Sequence, residues 1–354
     1  MKRGFYTIMA AQFFSSLADN ALLIAAMALL MTMNEPAWMT PLLKWSFALS
    51  YVLLAAFVGA FADSMPKGRV MFITNLIKVG GCGLMFFNVH PVIAYGIVGF
   101  GAAAYSPAKY GILTELLPAE KLVAANGWIE GLTIGSIILG VLLGGKLIDP
   151  QISAWILSFD FPVIDTAIDT TNEAALCVIT SCYLIAALFN RHIPDTGAAY
   201  PKQERNPFCL LRDFTHCYVK LWKDKLGQIS LAVTTLFWGA GAVLQLLVLE
   251  WARVNLHMPL EKGTELQGVF ALGIALGALL AAKFIPLKRS LSVMKLGVMM
   301  GLVVTSMVFV KSVWLAYPLL IFIGGLAGFF VVPMNALLQH RGHVLMSAGH
   351  SIAV

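Results

Sequence analysis

Charge is the scarcest commodity in this sequence. Only 12% of its 354 residues are Asp, Glu, Lys or Arg, about half the share of a soluble globular domain. That shortage excludes an ordinary soluble enzyme and a disordered chain. Cysteine is sparse and odd in number, five in all, which argues against a secreted disulfide scaffold. No Cys/His cluster has zinc-ligand spacing, so neither a metal nor any other cofactor is expected. The G-x-x-x-x-G-K-[ST] phosphate loop, the G-x-S-x-G elbow and the H-E-x-x-H helix are all missing. The chain is therefore expected to carry out no catalysis.

What fills the chain instead is apolar. Hydrophobic residues make up 59% and the mean hydropathy is +0.82. A membrane-spanning helix needs about 20 mostly apolar residues. Ten such spans are expected, near 8–31, 44–62, 70–88, 91–111, 124–148, 174–190, 229–252, 264–285, 291–310 and 314–336. An eleventh apolar run begins at Ser347 and stops eight residues later at Val354, so the sequence reads as truncated after the tenth span. The first block is too long for a signal-peptide core and reads as a retained span.

The net charge of +6 lies mainly in short loops, which points to an anionic membrane surface rather than nucleic acid. Of the 24 Lys and Arg residues, 16 fall in loops on the side of the N-terminus and 5 on the other. By the positive-inside rule the N-terminus is expected in the cytoplasm. The longest break follows the sixth span, dividing the chain into a six-helix half (1–190), a linker (191–228) and a second half (229–354). Within the linker, Phe208 to Lys225 alternates apolar and basic residues, as an interfacial helix or a docking site for a cytoplasmic partner would. The opposite loop, 149–173, is acidic through Asp160, Asp165, Asp169 and Glu173.

An internal repeat relates the halves. Phe14–Leu23 overlays Trp238–Leu247 at an offset of 224. The Gly99/Pro107 spacing recurs as Gly325/Pro333 at an offset of 226. Two six-span halves in parallel are the architecture of major-facilitator transporters, whose substrates bind near the midplane.

Several polar residues fall inside the spans. A carboxylate at the bilayer centre costs at least ~2.5 kcal/mol, so Asp19 in the first span must face a cavity or a buried partner. Asn20 beside it suits either a substrate contact or a helix–helix hydrogen bond. Lys78 lies about 13 Å into the third span at 1.5 Å per residue, too deep to snorkel easily. Glu130 lies at comparable depth in the fifth span, and a Lys78–Glu130 pair is expected to hold the first half together. Tyr105-Ser106-Pro107-Ala108-Lys109-Tyr110-Gly111 suits a broken or gating helix at a cavity rim. Lys109 there either snorkels to the surface or meets an anion such as a lipid phosphate. Asp63 with Lys67-Gly68-Arg69 can latch helix ends in one transport state. The glycines of the fifth span, Gly127 through Gly145, suit close helix packing. The 16 Met and 22 Phe residues either line an adaptable lipid-sized cavity or simply fill space.

These residues resemble the lysophospholipid transporter family, a bacterial branch of the major facilitator superfamily. The resemblance rests on Ala11-Gln12-Phe13 with Ala18–Leu23, on Ala62-Asp63-Ser64 with Lys67–Met71, and on Gly101–Leu113. It continues through Phe237–Gly241, Phe329–Pro333 and Asn335–Gln339. It implies inward flipping of lysophosphatidylethanolamine and lysophosphatidylglycerol across the bacterial inner membrane. A cytoplasmic-face lysophospholipid acyltransferase/acyl carrier protein synthetase would then reacylate them. On this reading Asp19, Asn20, Tyr105 and Lys109 belong to the substrate site. Gln245, standing where the resemblance implies a basic residue in the seventh span, joins them. Asp63, Arg69, Lys78 and Glu130 gate or brace it. The competing readings are a proton-coupled exporter with Asp19 as proton carrier, and a non-transporting platform for the acyltransferase.

Overall fold

With no water in the bilayer core, each spanning segment must satisfy its own backbone, and a helix does so within one segment. The computed structural model describes residues 3–36, 38–157, 170–198, 206–258 and 260–353, and every regular element among them is helical. The helices are α1 (Arg3–Thr32), α2 (Met39–Asp63), α3 (Lys67–Phe86), α4 (Pro91–Leu116), α5 (Leu122–Leu147), α6 (Pro150–Leu157) and α7 (Thr171–Arg191). After these come α8 (Pro207–Lys223), α9 (Lys225–Asn255), α10 (Leu260–Phe284), α11 (Met294–Ser306), α12 (Val313–Leu345) and α13 (Ala348–Ala353). Short 3₁₀ turns cover Ala119–Lys121, Leu287–Val293 and Met307–Phe309. Eight of the helical stretches are long and apolar enough to cross a membrane. All ten expected spans fall on helical stretches, the ninth as α11 flanked by two of the 3₁₀ turns. The acidic residues Asp160, Asp165 and Asp169, and the linker residues 199–205, lie outside the described residues.

Local chemistry sets several boundaries. Thr170 and Glu173 form a reciprocal capping box at the start of α7, and Arg191 sits in its last turn, complementing the helix dipole. Asp224 caps α9 by accepting from the Gly227 N–H at 2.8 Å. α3 ends as Asn88 turns left-handed at φ 59°, with Val89 N–H donating to Leu84 O at 2.9 Å. Asn tolerates that conformation better than other non-glycine residues.

One correction concerns proline: α4 passes through Pro107 unbroken. α12 likewise passes through Pro318 and Pro333, and runs past the expected 336 to Leu345. Proline removes one hydrogen bond, but neighbouring helices can re-satisfy the freed group inside a membrane bundle.

The described chain divides into two compact units. The first comprises 1–116, 136–216 and 347–354; the second comprises 117–135 and 217–346. In the first, α1 packs on α7, α3 on α4 and α7, and α2 on α4, while α13 lies against α2 and α4. Its core is built from small side chains, among them Ala18, Ala21, Ala25 and Ala94, with Tyr95 and Tyr183 buried between the helices. In the second, α12 carries α9, α10 and α11. Close approach there depends on glycine: a Cβ on Gly277 would fall 2.0 Å from Gly325 O. Of the fifth-span glycines, Gly140 and Gly144 let α5 meet α1, and Gly127 lets it meet α10. The expected packing role holds at those three.

Candidate functional site

The first unit holds a buried charge cluster built by α1, α3, α4 and α7. Asp19 and Ser15 lie one turn apart on α1, and Lys78 and Asn75 likewise on α3, so each pair shares a helix face. Lys78 Nζ donates to Asp19 Oδ2 at 2.8 Å and to Ser15 Oγ at 3.0 Å. Ser15 Oγ in turn donates to Asn75 Oδ1 at 2.8 Å. Tyr183 OH on α7 donates to Asp19 Oδ1 at 2.7 Å. The ammonium also lies over the rings of Tyr105 and Tyr183, at 5.3 and 5.6 Å from their centroids. Such contacts favour a desolvated cation.

The carboxylate that Lys78 meets is therefore Asp19 rather than the Glu130 expected from matching depth. Depth along a span fixes only the level of a side chain, not the direction in which it faces. Lys78 and Glu130 moreover belong to different compact units. Glu130 is buried and is not without a partner.

The pair is asymmetric: the Lys78 side chain is 2% exposed and that of Asp19 is 18%. Asp19 is thus the member that an incoming group reaches. Asn75, whose Oδ1 accepts from Ser15 in this cluster, has a buried Nδ2 that makes no hydrogen bond. Buried polar groups are rarely left so, and this one marks a place where water or a polar ligand group fits. Asn20 turns back to donate to Ser16 O at 2.8 Å, so it bridges no helices. Lys109 is buried on α4, with its ammonium 4.1 Å from the centroid of the adjacent Tyr110 ring. Gln245 lies on α9, and its side chain is outside the described residues.

Asp63, at the end of α2, anchors a second cluster. Lys67 pairs with its Oδ1, while Ser347 Oγ and His350 Nδ1 bond to its Oδ2, the histidine at 2.8 Å. Lys67 also lies 3.6 Å from Glu115, which accepts from Thr196 Oγ1 at 2.6 Å. Arg69 is not a member. Its side chain is exposed and makes no hydrogen bond or ion pair among the described residues. Helix geometry explains the change: Lys67 stands four residues from Asp63, the spacing that meets on one face, whereas Arg69 points elsewhere.

The second unit has its own polar pairs. Asn126 and Gln339 exchange amide hydrogen bonds of 2.9 and 2.7 Å between α5 and α12. Arg341 Nε donates to Asp224 Oδ2 at 2.9 Å. The Arg341 guanidinium and the Gly227 N–H hold the Asp224 carboxyl below the usual carboxylate range.

Ser15, Asn75 and Tyr183 were not singled out by the sequence reading. The first two carry a signal, since each lies three or four residues from a buried charge. Nothing in the sequence marks Tyr183.

A multi-helix bundle with an ion pair sealed between its spans defines the class: a multi-pass membrane transporter of the major-facilitator type. The model of the Major Facilitator Superfamily matches residues 4–348. Among solved structures, the transporter FucP in its outward conformation aligns with a TM-score of 0.73 at 13% identity, over 99% of this chain and 87% of FucP. The human organic anion transporter MFSD10 aligns with a TM-score of 0.68, also at 13% identity, over 100% of this chain and 90% of that one. These likenesses are of fold. In sequence, the lysophospholipid transporter LplT of Yersinia enterocolitica is 42% identical over 100% of this chain and 83% of its own length. The LplT of Serratia proteamaculans is 40% identical over 100% of this chain and 84% of its own. The chain belongs to the lysophospholipid transporter LplT family, within the major facilitator superfamily.

Proposed function

We propose that this protein moves lysophospholipids between the leaflets of a bacterial inner membrane by alternating access of its halves, 1–190 and 229–354. The observation that supports this reading is its 42% identity, along its full length, to a protein named a lysophospholipid transporter. In this reading lysophosphatidylethanolamine and lysophosphatidylglycerol travel from the outer to the inner leaflet. The N-terminus is cytoplasmic, in keeping with the distribution of loop Lys and Arg. An acyltransferase on the cytoplasmic face then consumes the product, and the chain itself performs no chemistry.

A lysophospholipid has one acyl chain and a small charged headgroup, so its path needs apolar walls and a few polar groups. Lys109 meets the phosphate, and Asp19 meets an ammonium or the opposite half. Asn75 Nδ2, buried without a hydrogen bond, and the Tyr105 hydroxyl offer further donors to the headgroup. The bond between Lys78 and Asp19 keeps the site neutral while it is empty.

The test uses purified protein in liposomes with fluorescent lysophosphatidylethanolamine and a membrane-impermeant quencher added outside. Protein-dependent protection of the label is expected, with loss in Asp19→Asn and Lys109→Ala. Unchanged flipping in the double variant would sink the site assignment. No protection by wild type, together with a pH change inside the vesicles on adding a soluble solute, would favour the proton-coupled exporter.

A further inference from the structure

Arg69, left out of the Asp63 cluster, lines a separate cleft. It lies in the first unit where α3 begins and α7 ends, a cavity of about 390 Å³ bounded by Pro66, Arg69, Phe72, Arg191, Ile193 and Asp195. Gly68 sets its geometry. A Cβ there would lie 3.0 Å from Ile193 Cβ and 3.1 Å from Asn190 O, so the first turn of α3 rests directly on the end of α7. Arg69 and Arg191 each follow one of these touching residues in sequence, and both line the same cleft.

The two arginines bring positive side chains together in one cleft. Lys67, Lys78 and Arg341 each have a carboxylate within 4 Å. Among the described residues Arg69 and Arg191 have none, and neither makes a side-chain hydrogen bond there. One carboxylate, Asp195, does line the cleft, but it accepts from the Gly197 N–H at 3.0 Å in a local turn and ion-pairs with neither arginine. Two exposed guanidiniums thus share a cleft with one carboxylate, which pairs with neither, and the described lining is net positive. Guanidinium matches phosphate oxygens in a bidentate geometry.

The apolar lining identifies the source of that phosphate. α3 and α7 are both helices of membrane-crossing length and apolarity, and the cleft sits where they end. Phe72 lies one turn further into α3 than Arg69, and Pro66 and Ile193 flank the arginines at the helix ends. Charge at the helix ends, with the Phe72 ring one turn deeper on an apolar span, is the polarity of a phospholipid, with headgroup outward and acyl chain inward. Free phosphate would have no use for that ring.

We infer that this cleft binds the phosphate headgroup of an anionic bilayer phospholipid, with Arg69 and Arg191 as its ligands. The site is separate from the Asp19–Lys78 cluster and independent of the transport reading. It holds a resident lipid on the side of the membrane that carries the N-terminus of α1.

The test is lipid retention by the full chain in detergent, measured by native mass spectrometry after titration with phosphatidylglycerol or phosphatidylcholine. Neutralising one basic residue at an anionic surface weakens binding about fivefold, so Arg69→Gln and Arg191→Gln together should weaken phosphatidylglycerol retention about 30-fold. The control double variant Lys288→Gln/Arg289→Gln, on the exposed 3₁₀ turn of the second unit, should retain it as wild type does. Wild-type protein illuminated with a headgroup-photoreactive phosphatidylglycerol should crosslink within 66–72 and 190–195, which needs no variant to fold. Equal retention of the two lipids, equal losses in the two double variants, or crosslinks confined elsewhere would each overturn the proposal. So would displacement of phosphatidylglycerol by millimolar inorganic phosphate, which would make the cleft a free-anion site.

Discussion

Lys78→Met tests the central ion pair most directly. Removing one partner of a buried pair costs about 3–5 kcal/mol, because the other charge is stranded. In Lys78→Met the stranded group is Asp19, which is 18% exposed and keeps the Tyr183 hydroxyl, so the cost should fall near the lower end, about 3 kcal/mol. Asp19→Leu strands an ammonium whose side chain is 2% exposed and whose remaining hydrogen-bond partner is Ser15, so it should cost nearer 5 kcal/mol, about the upper end. Replacing both by apolar groups is neutral or stabilising in other buried pairs. The double variant should therefore lose no more than about 2 kcal/mol, far less than the sum of the singles. Unfolding of the detergent-solubilised protein by dodecyl sulfate, followed by tryptophan fluorescence, measures all four species. Additive losses would refute the pairing, and so would a Lys78→Met variant as stable as wild type. The same double variant serves transport: if it folds but does not flip lysophospholipid, the pair acts in transport beyond its part in folding.

Three further outcomes follow from particular contacts. Gly277→Ala should abolish folded yield, because its Cβ would lie 2.0 Å from a backbone oxygen that cannot move aside. Gly239→Ala, with nothing within 4 Å, should gain up to about 1 kcal/mol in helix stability; fluorescence size-exclusion profiles distinguish the two. Asn126→Ala leaves the buried Gln339 amide unpaired and should cost about 1–3 kcal/mol, most of which Asn126→Leu/Gln339→Leu should recover in the same unfolding assay. The Asp224 carboxyl titrates below its unfolded value, so its stabilisation is fully present above that value and is lost as pH falls through the folded one. Asp224→Asn should therefore flatten the acid limb of the stability–pH curve while leaving its neutral shape unchanged.

The spans were legible because bilayer thickness imposes a single length scale on apolar runs, and each of the ten expected runs became helix. The break expected at Pro107 did not occur, for a related reason. A breaker in water is tolerated where packed neighbours replace the lost bond, and local sequence does not report those neighbours. At the site, burial was legible and pairing was not. Asp19 and Lys78 stood out because charge inside a span is costly. Which carboxylate faced which amine depended on helix rotation and tertiary contact, and neither leaves a trace in residue spacing. The four-residue step from Asp63 to Lys67 was local enough to be read, yet the gate reading fell on Arg69, the next basic residue, and passed over Lys67. Tyr183 lay beyond reach altogether: it arrives at Asp19 from 164 positions away.

The neutrality of the resting site leads to a test of headgroup selectivity. With Asp19 and Lys78 paired, a zwitterionic lysolipid adds no net charge to the cluster, whereas an anionic one adds a full negative charge. Asp19→Asn leaves the Lys78 ammonium uncompensated, with its side chain only 2% exposed. A buried cation lacking a counterion recruits one where the ligand can supply it. The variant should therefore shift its preference toward lysophosphatidylglycerol over lysophosphatidylethanolamine, even as total flipping falls. Competition between the two lysolipids in the same liposomes reads the ratio without needing equal protein activity. A ratio unchanged from wild type would mean that the headgroup never comes within reach of this pair. The pair would then be a brace between α1 and α3, and the polar path for the headgroup would have to run past Lys109 alone.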